Sequence, residues 1–212
     1  MKSDLSIHCC RLRSMFAVAA AGLLLSACSH SPPVQYYSLG SAAAAVSRAV
    51  AAEAGPSIVV GPVSLPAEVD RQQMVRIVDE VRLEVSSEHR WSAPLKLEIG
   101  RRVAAEIAHL QGLQRVVAWP QNVYADPELS VPIDIQRLDT RGFEVVSLEA
   151  VWSLRHNGRE LAGGRVLANE RIEAADHAGV ARAHARVVDV LAREIAARLP
   201  LPGLPAGDAH RP

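Results

Sequence analysis

The sequence predicts an α+β fold: a mixed or antiparallel sheet with two main helices packed on one face. Several segments alternate apolar and polar residues, which is typical of strands with one buried face. Two longer segments place apolar residues three or four positions apart, which is typical of amphipathic helices. Strands precede a helix in each half of the chain, an order that favours two packed layers. The 212 residues suffice for one domain of this kind.

The first 27 residues are predicted to be a lipoprotein signal peptide and not part of the fold. Lys2, Arg11 and Arg13 supply a positively charged N-terminal region before an uncharged apolar run of eleven residues, Met15 to Leu25. That run is too short to span a bilayer as a helix, which takes about 20 residues. It suits the apolar region of a signal peptide.

Cys28 is predicted to be the lipidated first residue of the mature chain. It follows Leu25-Ser26-Ala27, which resembles the lipobox of bacterial lipoproteins; an ordinary secretory signal with an incidental cysteine is the alternative. Cys9 and Cys10 fall in the discarded segment, so no disulfide is possible. Two or three acyl chains hold a protein on a membrane permanently. The covalent acyl/diacylglycerol lipid on Cys28 is the only non-protein group expected, and no metal or other cofactor is. Because Ser29 and not aspartate follows, the resemblance implies the periplasmic face of the outer membrane.

Charge and composition argue against a nucleic-acid partner. Lys+Arg and Asp+Glu both number 23, so the formal net charge is zero. Recognition of a phosphate backbone needs a concentrated positive field, and the sequence has no basic block. Hydrophobic residues make up 49%, which allows a chain without disulfides to be stabilised by its apolar core.

The mature chain is predicted to have three parts. Residues 28–56 contain the lipidated cysteine, a tether and a first strand at 34–39. Residues 57–199 form the folded domain, and the proline-rich residues 200–212 form a disordered tail.

The first half of the domain is predicted to contain strands followed by a helix. Residues 58–63 are a buried strand. From Met74 to Val85 apolar and polar residues alternate, which predicts a half-buried strand or hairpin with one wet face and a turn at Asp79-Glu80. The helix begins with Ser92 as its capping hydroxyl and Pro94 in its first turn.

The rest of the domain repeats this order with longer strands. The apolar stripe of the first helix ends at Gly112. Four later segments are predicted as strands: 115–118, 131–136, 146–154 and 164–173. Asn157-Gly158 predicts a hairpin turn between the last two. Asp176 caps a second helix whose apolar stripe extends to Leu199.

The sequence predicts a non-enzymatic protein. It has no nucleophile elbow of the form G-x-S-x-G and no glycine-rich phosphate loop. Its histidines do not show the spacing of zinc ligands. His177 and His184 are seven residues apart and near one helix face, and we interpret them as surface or half-buried residues and not as ligands.

Two segments favour recognition of a partner: 65–76, LPAEVDRQQMVR, and 88–95, EHRWSAPL. Trp91 either covers the base of the first helix, with Arg90 or Arg71 stacked on it, or is an exposed contact for a partner. The residues expected to bind a partner are Tyr36, Tyr37, Asp70, Arg71 and Trp91.

Four stretches, taken in order, resemble the PqiC family of ABC-type transport auxiliary lipoproteins, which is also known as a domain of unknown function. They are Cys28 with YYSL at 36–39; GPV at 61–63 with LP at 65–66 and VDRQQMV at 69–75; RWSAPL at 90–95; and RLD at 137–139 with LEAVWSL at 148–154. The chain departs from the family pattern at Gln72, Ala93 and Leu138, where proline, glutamate and phenylalanine are usual.

The resemblance implies a non-catalytic component of an MCE-type, PqiABC-like system that moves phospholipid or similar hydrophobic molecules between membranes and supports envelope integrity. It implies an outer-membrane lipoprotein that anchors or receives the conduit of an MCE-domain periplasmic protein, alongside inner-membrane transport components. A homo-oligomer stays open. A periplasmic lipid-binding carrier with its own hydrophobic cavity is the alternative, and a hydrolase would need converging Ser, His and Asp side chains.

Overall fold

The computed structural model describes residues 33–40, 55–121, 124 and 126–199. Its elements in chain order are β1 (Gln35–Tyr37), β2 (Ile58–Ser64), β3 (Gln73–Ile77), β4 (Leu83–Trp91), α1 (Leu95–Gln111), β5 (Val116–Ala118), β6 (Leu129–Arg141), β7 (Val145–His156), β8 (Arg159–Arg171) and α2 (His177–Ala196). The expected signal peptide, Cys28 and the expected tail lie outside the described residues. Within the described ranges, no helix is long and apolar enough to cross a membrane.

β6 is the junction of a mixed, eight-stranded sheet. β7 pairs antiparallel with it along one edge, and β8 continues the sheet beyond β7. On the other edge, β2 pairs parallel with the first half of β6, and β3 meets its end at one pair, Ile77 with Arg141. β4 and β1 lie beyond β3, and β5 lies beyond β2. The prediction of a mixed sheet in an α+β fold is confirmed.

Both helices cover one face of this sheet, and we call the opposite face the open face. α1 contacts β2 and β5, α2 contacts β7 and β8, and the helices contact each other. Alternate residues of β7 point into the core between the layers, among them Leu148 and Ala150, which are fully buried. Because burial of apolar surface is the main stabilising contribution to folding, this layer stabilises the domain.

The starts of the two helices differ, and only the second has the cap that the sequence predicts. At α1 the cap position is Pro94, which has no side-chain cap. The hydroxyl of Ser92 instead donates to Glu98 Oε1 at 3.4 Å, so the prediction of Ser92 as the cap is wrong. At α2 the carboxylate of Asp176 accepts a hydrogen bond from the backbone N–H of Gly179 at 2.6 Å, as predicted.

The hairpin predicted between Met74 and Val85 is formed by β3 and β4, but its apolar row lies on the open face. Val75 pairs with Val85, and Ile77 pairs with Leu83. Val85 and Leu83 are each nearly half exposed, whereas Met74 is buried. The expectation that this apolar row is the buried one is therefore wrong, because the helices cover the opposite face of the hairpin, where Met74 lies.

A bulge in β4 lets its two ends face opposite sides of the sheet. From the pair Gln73–Arg90 to the pair Val75–Val85, β3 advances by two residues and β4 by five. The hydroxyl of Ser86 accepts hydrogen bonds from two backbone N–H groups, at 3.3 and 3.0 Å, and so holds the extra residues. The last residue of β4 consequently faces the core while its first residues face solvent.

The hairpin of β7 and β8 turns at Asn157 and Gly158, as predicted. Both residues have positive φ, +48° and +77°, which a tight hairpin turn of this kind requires. β8 begins directly after the turn at Arg159, earlier than the predicted start at Gly164. The indole of Trp152 lies over Gly164, where an added Cβ would be 3.2 Å from the indole nitrogen.

Candidate functional site

An apolar groove opens on the open face where β3 and β6 diverge. Between its pairs with β2 and with β3, residues 135–140 of β6 have no strand partner on that edge within the described part of the chain. The resulting cavity has a volume of about 330 Å³. Its apolar lining consists of Pro66, Val69, Val75, Ile77, Leu83 and Leu138, and Glu68, Arg137 and Asp139 add charge. We call this cavity the groove.

The loop of residues 65–72 forms one wall of the groove and carries two of the predicted partner-binding residues. The backbone N–H of Asp70 donates to the carbonyl of Pro66 at 3.0 Å, and its carboxylate accepts from Lys96 Nζ at 3.0 Å. The first contact closes a turn within the loop, and the second attaches the loop to the start of α1. Arg71 is exposed, so its guanidinium is accessible beside the groove.

Trp91 lies in the core and not on the surface. Its side chain is 3% exposed, and its ring meets that of His184 edge-on, with 5.2 Å between centroids. Its backbone N–H donates to the carbonyl of Gln72 at 2.7 Å, which brings the loop to the end of β4. The prediction of Trp91 as a partner contact is therefore corrected, because the indole fills space between the sheet and α2. The ring that contacts the indole belongs to His184, whereas the sequence predicted a stacked arginine, Arg90 or Arg71.

His184 is a fully buried polar residue between β6 and α2. Its Nδ1–H donates to the carbonyl of Val180 at 2.9 Å, and the hydroxyl of Thr140 lies 3.3 Å from Nε2. A neutral imidazole satisfies both contacts. Burial lowers the pKa of His184 to about 4. The interpretation of His184 as a surface or half-buried residue is therefore wrong.

An aromatic cluster attaches β1 to the domain, and we call Tyr37, His89, His177 and Phe143 the tether clasp. The hydroxyl of Tyr37 lies 2.8 Å from His89 Nδ1, and the rings of His89 and His177 stack with 3.5 Å between centroids. Phe143 meets His177 edge-on at 5.3 Å. Tyr37 is thus packed within the domain, whereas Tyr36 is 61% exposed.

The surroundings of the tether clasp keep His177 neutral. Burial is the largest cause, and the nearby His89 and Arg76 add to it; together they lower the pKa of His177 to about 4. The guanidinium of Arg76 lies 3.9 Å from the centroid of the Phe143 ring. It also makes two hydrogen bonds with the carboxylate of Glu84, both 2.9 Å.

Two charged residues of α1 hold the segment that follows β1. The carboxylate of Glu98 accepts from the hydroxyl of Ser38 at 2.9 Å and from the N–H of Leu39 at 3.2 Å. Arg102 donates to the carbonyl of Leu39 and makes a bidentate pair with Asp189 of α2, with both distances 2.7 Å. Both helices therefore contribute to holding this segment.

The predicted partner-binding residues divide between two places. Asp70 and Arg71 follow Val69 on the loop that borders the groove but do not line it, whereas Tyr36 and Tyr37 lie on β1, separated from the groove by β4 and β3. Sequence reasoning missed the tether clasp, whose members come from β1, β4, α2 and the turn between β6 and β7. It also missed Glu98, whose signal was a carboxylate within the apolar face of α1. Within the described residues no three His, Cys, Asp or Glu side chains are placed to hold a metal ion.

Known proteins share this architecture. A crystal structure of an uncharacterized protein superposes with a TM-score of 0.63 at 16% identity and covers 78% of this chain and 98% of its own. A protein of Xanthomonas campestris from family DUF330 gives a TM-score of 0.53 at 18% identity, covering 66% of this chain and 81% of its own. At such identities the likeness shows the fold alone. No curated protein matches the chain.

The family comparison covers the groove and both helices. The family model described as "ABC-type transport auxiliary lipoprotein component" matches residues 37–196, from the tether clasp to the end of α2. This span includes three of the four sequence stretches that resemble the PqiC family and the YSL part of the first. The chain belongs to the family of ABC-type transport auxiliary lipoprotein components.

Proposed function

We propose that the protein is an outer-membrane lipoprotein that serves as a non-catalytic auxiliary component of an MCE-type intermembrane lipid transport system. Acyl chains on Cys28 would hold it on the periplasmic face. The observation that supports this is a domain in which the strand nearest the expected tether is firmly held and an apolar groove is open. A component that anchors or receives a conduit needs both a fixed attachment and a binding surface.

The groove suits an extended segment of the MCE-domain partner. Residues 135–140 of β6 present a strand edge, and apolar side chains line the space beside it. In strand addition, main-chain hydrogen bonds give affinity and side-chain pockets give specificity. Glu68 is exposed in the wall, whereas Arg137 is paired with Asp139 and Glu149. Arg71, on the same loop, is also exposed, so a partner segment with an acidic residue near Arg71 and a basic residue near Glu68 would complement this surface.

Site-specific crosslinking in cells tests the assignment. A photoreactive amino acid in place of Glu68 should give an adduct that contains an MCE-domain protein. The matched control replaces Leu167, which is 63% exposed on the open face of β8 and outside the groove. Adducts from neither position, or equal adducts from both, would contradict the proposed contact.

Charge reversal at Arg71 separates binding from stability. Because the side chain of Arg71 is exposed beside the groove, Arg71→Glu should weaken association with the partner by about tenfold and leave Tm nearly unchanged. Association is measured by pull-down from crosslinked envelopes, and Tm by circular dichroism. A Tm that falls in step with the lost association would show that Arg71 has a structural role.

A lipid-binding carrier is the second candidate, and one observation favours it. A broad depression of about 690 Å³ lies on the open face over β2, β6, β7 and β8. Its lining combines apolar residues such as Val151 with charged residues such as Arg155 and Arg165. Native mass spectrometry separates the candidates: lipid bound in equimolar amount would support a carrier, and a lipid-free domain would support the adaptor.

A further inference from the structure

Four apolar side chains are exposed in the turn between β3 and β4 and at the start of β4, and we call Val78, Val81, Leu83 and Val85 the apolar tip. Val81 is 95% exposed, and the other three are between 41% and 47% exposed. Single exposed apolar residues are ordinary on a protein surface, but a cluster at one turn indicates a surface that something covers.

The direction of β1 relates the start of the domain to the apolar tip. β1 is parallel to β4, and its first residue, Gln35, lies beside His89. The start of β4, Leu83, is six residues back from His89, which corresponds to at most about 20 Å along the strand. The N-terminal end of β1 therefore points toward the end of the hairpin that carries the tip.

The length of the tether fits this distance. Five residues, 29–33, separate Cys28 from Val34. Fully extended, this connection spans at most about 20 Å. With Cys28 at the membrane surface, this tether keeps the start of β1 within about 20 Å of the bilayer, so the apolar tip can reach the membrane. The occupant that this geometry places at the tip is the bilayer.

We propose that the apolar tip inserts into the headgroup region of the same bilayer that holds the acyl chains of Cys28. This inference rests on the anchoring of Cys28 in the proposed function. The tip's charges do not favour anionic lipid, since Asp79 and Glu80 outnumber Arg82, which pairs with Asp79 at 3.0 Å. Insertion is therefore apolar and suits a zwitterionic phospholipid surface.

The tether makes a small apolar contact effective. A tip of four partly exposed side chains binds a bilayer weakly by itself. A short tether raises its effective concentration at the surface, so that even a weak contact is populated. The contact would orient the domain and place the groove, which shares Leu83 with the tip, close to the lipid headgroups.

Fluorescence of the acylated full mature protein in phosphatidylcholine vesicles tests the contact. The mature chain has no cysteine besides Cys28, so Val81→Cys introduces a single reactive thiol for the environment-sensitive dye NBD. Emission from this position should shift to shorter wavelength and be quenched by spin-labelled phospholipid. Leu167→Cys, on exposed β8, is the matched control and should show neither effect.

A second label keeps the test independent of one variant. Leu83→Cys should be quenched several-fold more than Leu167→Cys, as Val81→Cys is. Equal quenching at all three positions overturns the inference, and so does an unquenched tip. The mass of the purified protein separates the two proposals: an acylated Cys28 with an unquenched tip overturns the inference alone, whereas a chain without acyl groups overturns the anchor and the inference together.

Discussion

Two antiparallel hairpins of the sheet, β7–β8 and β3–β4, differ in what covers them. In β7–β8, one side of the hairpin lies under α2, and Val146 and Leu148 are fully buried there. In β3–β4, the helices cover the face that carries Met74, so Val81 and Leu83 on the other side are exposed to solvent. The same alternation of apolar and polar residues therefore stabilises one hairpin and provides the other with an apolar surface.

This difference teaches that alternation fixes the period of a strand but not its buried face. An apolar side chain contributes to stability only where a second layer removes it from water. The exposed row of β3–β4 gives up that contribution, which is typical of a surface that binds a membrane or a partner. We therefore expect substitutions in the two hairpins to affect stability very differently.

A paired truncation gives the largest expected contrast. Leu148→Ala leaves a cavity in the closed core and should lower the free energy of unfolding by about 4 kcal/mol. Leu83→Ala, in the open hairpin, should change it by less than about 0.5 kcal/mol. Urea denaturation of both variants measures the contrast. Similar losses would show that the open hairpin contributes as much to the core as the covered one.

A substitution at Gly179 tests how tightly the first turn of α2 packs against the preceding loop. An added Cβ would lie 2.0 Å from the carbonyl oxygen of Ala174 and would disturb the cap by Asp176. Gly179→Ala should therefore cost about 3 kcal/mol. Gly142→Ala is the control: its φ is +51°, but an added Cβ meets nothing within 4 Å. It should cost about 1 kcal/mol, and equal losses in thermal denaturation would show that backbone conformation and not packing is decisive.

His184, buried on α2 against Thr140 of β6, should make stability depend on pH. Its pKa is about 4 in the folded protein, against about 6.5 when unfolded. The unfolded chain therefore takes up a proton first as pH falls, and stability present above pH 6.5 is lost toward pH 4. At pH 5 the loss should be on the order of 2 kcal/mol.

His184→Gln removes this titration. Since His177 shifts in the same direction, the variant should flatten the acid limb of the stability curve and not abolish it. Urea denaturation between pH 5 and pH 8 provides the comparison. An unchanged slope would show that His184 is not the group responsible.

Tyr37→Phe should give the smallest effect, and a local one. It removes the contact of the hydroxyl with His89 Nδ1, 2.8 Å away, and should cost about 1 kcal/mol. Hydrogen exchange at the backbone of β1 should accelerate, while exchange in β7 stays unchanged. Equal acceleration in both strands would mean that the tether clasp is part of the main core and not a separate attachment.

The parts of the fold that sequence could predict are those decided by local chemistry. Asn157-Gly158 makes its turn and Gly112 ends α1 with φ +63°, because each depends on the backbone freedom of one or two residues. The Asp176 cap is likewise local. The family resemblance rested on ordered motifs and is confirmed by the match to residues 37–196.

The rest depended on contacts between distant residues. The stack of His89 on His177 joins β4 to the start of α2, and no spacing rule relates residues so far apart. Ser92 does not cap α1, because its hydroxyl donates a hydrogen bond to the carboxylate of Glu98. Arg71 was expected at a binding surface and is exposed, whereas Trp91, from the same motif set, is buried. Only the placement of the helices could distinguish them.

The parallel pairing of β1 with β4 has a mechanical consequence. With Cys28 anchored as proposed, a pull on the anchor would act along the axis of β1, since the chain enters that strand at its first residue. Such a load shears all the interstrand hydrogen bonds at once and does not peel them one by one. After β1, Arg102 of α1 donates a hydrogen bond to the carbonyl of Leu39 and pairs with Asp189 of α2, so the load is shared by both helices. Three residues of strand can therefore bear tension between the proposed anchor and the domain.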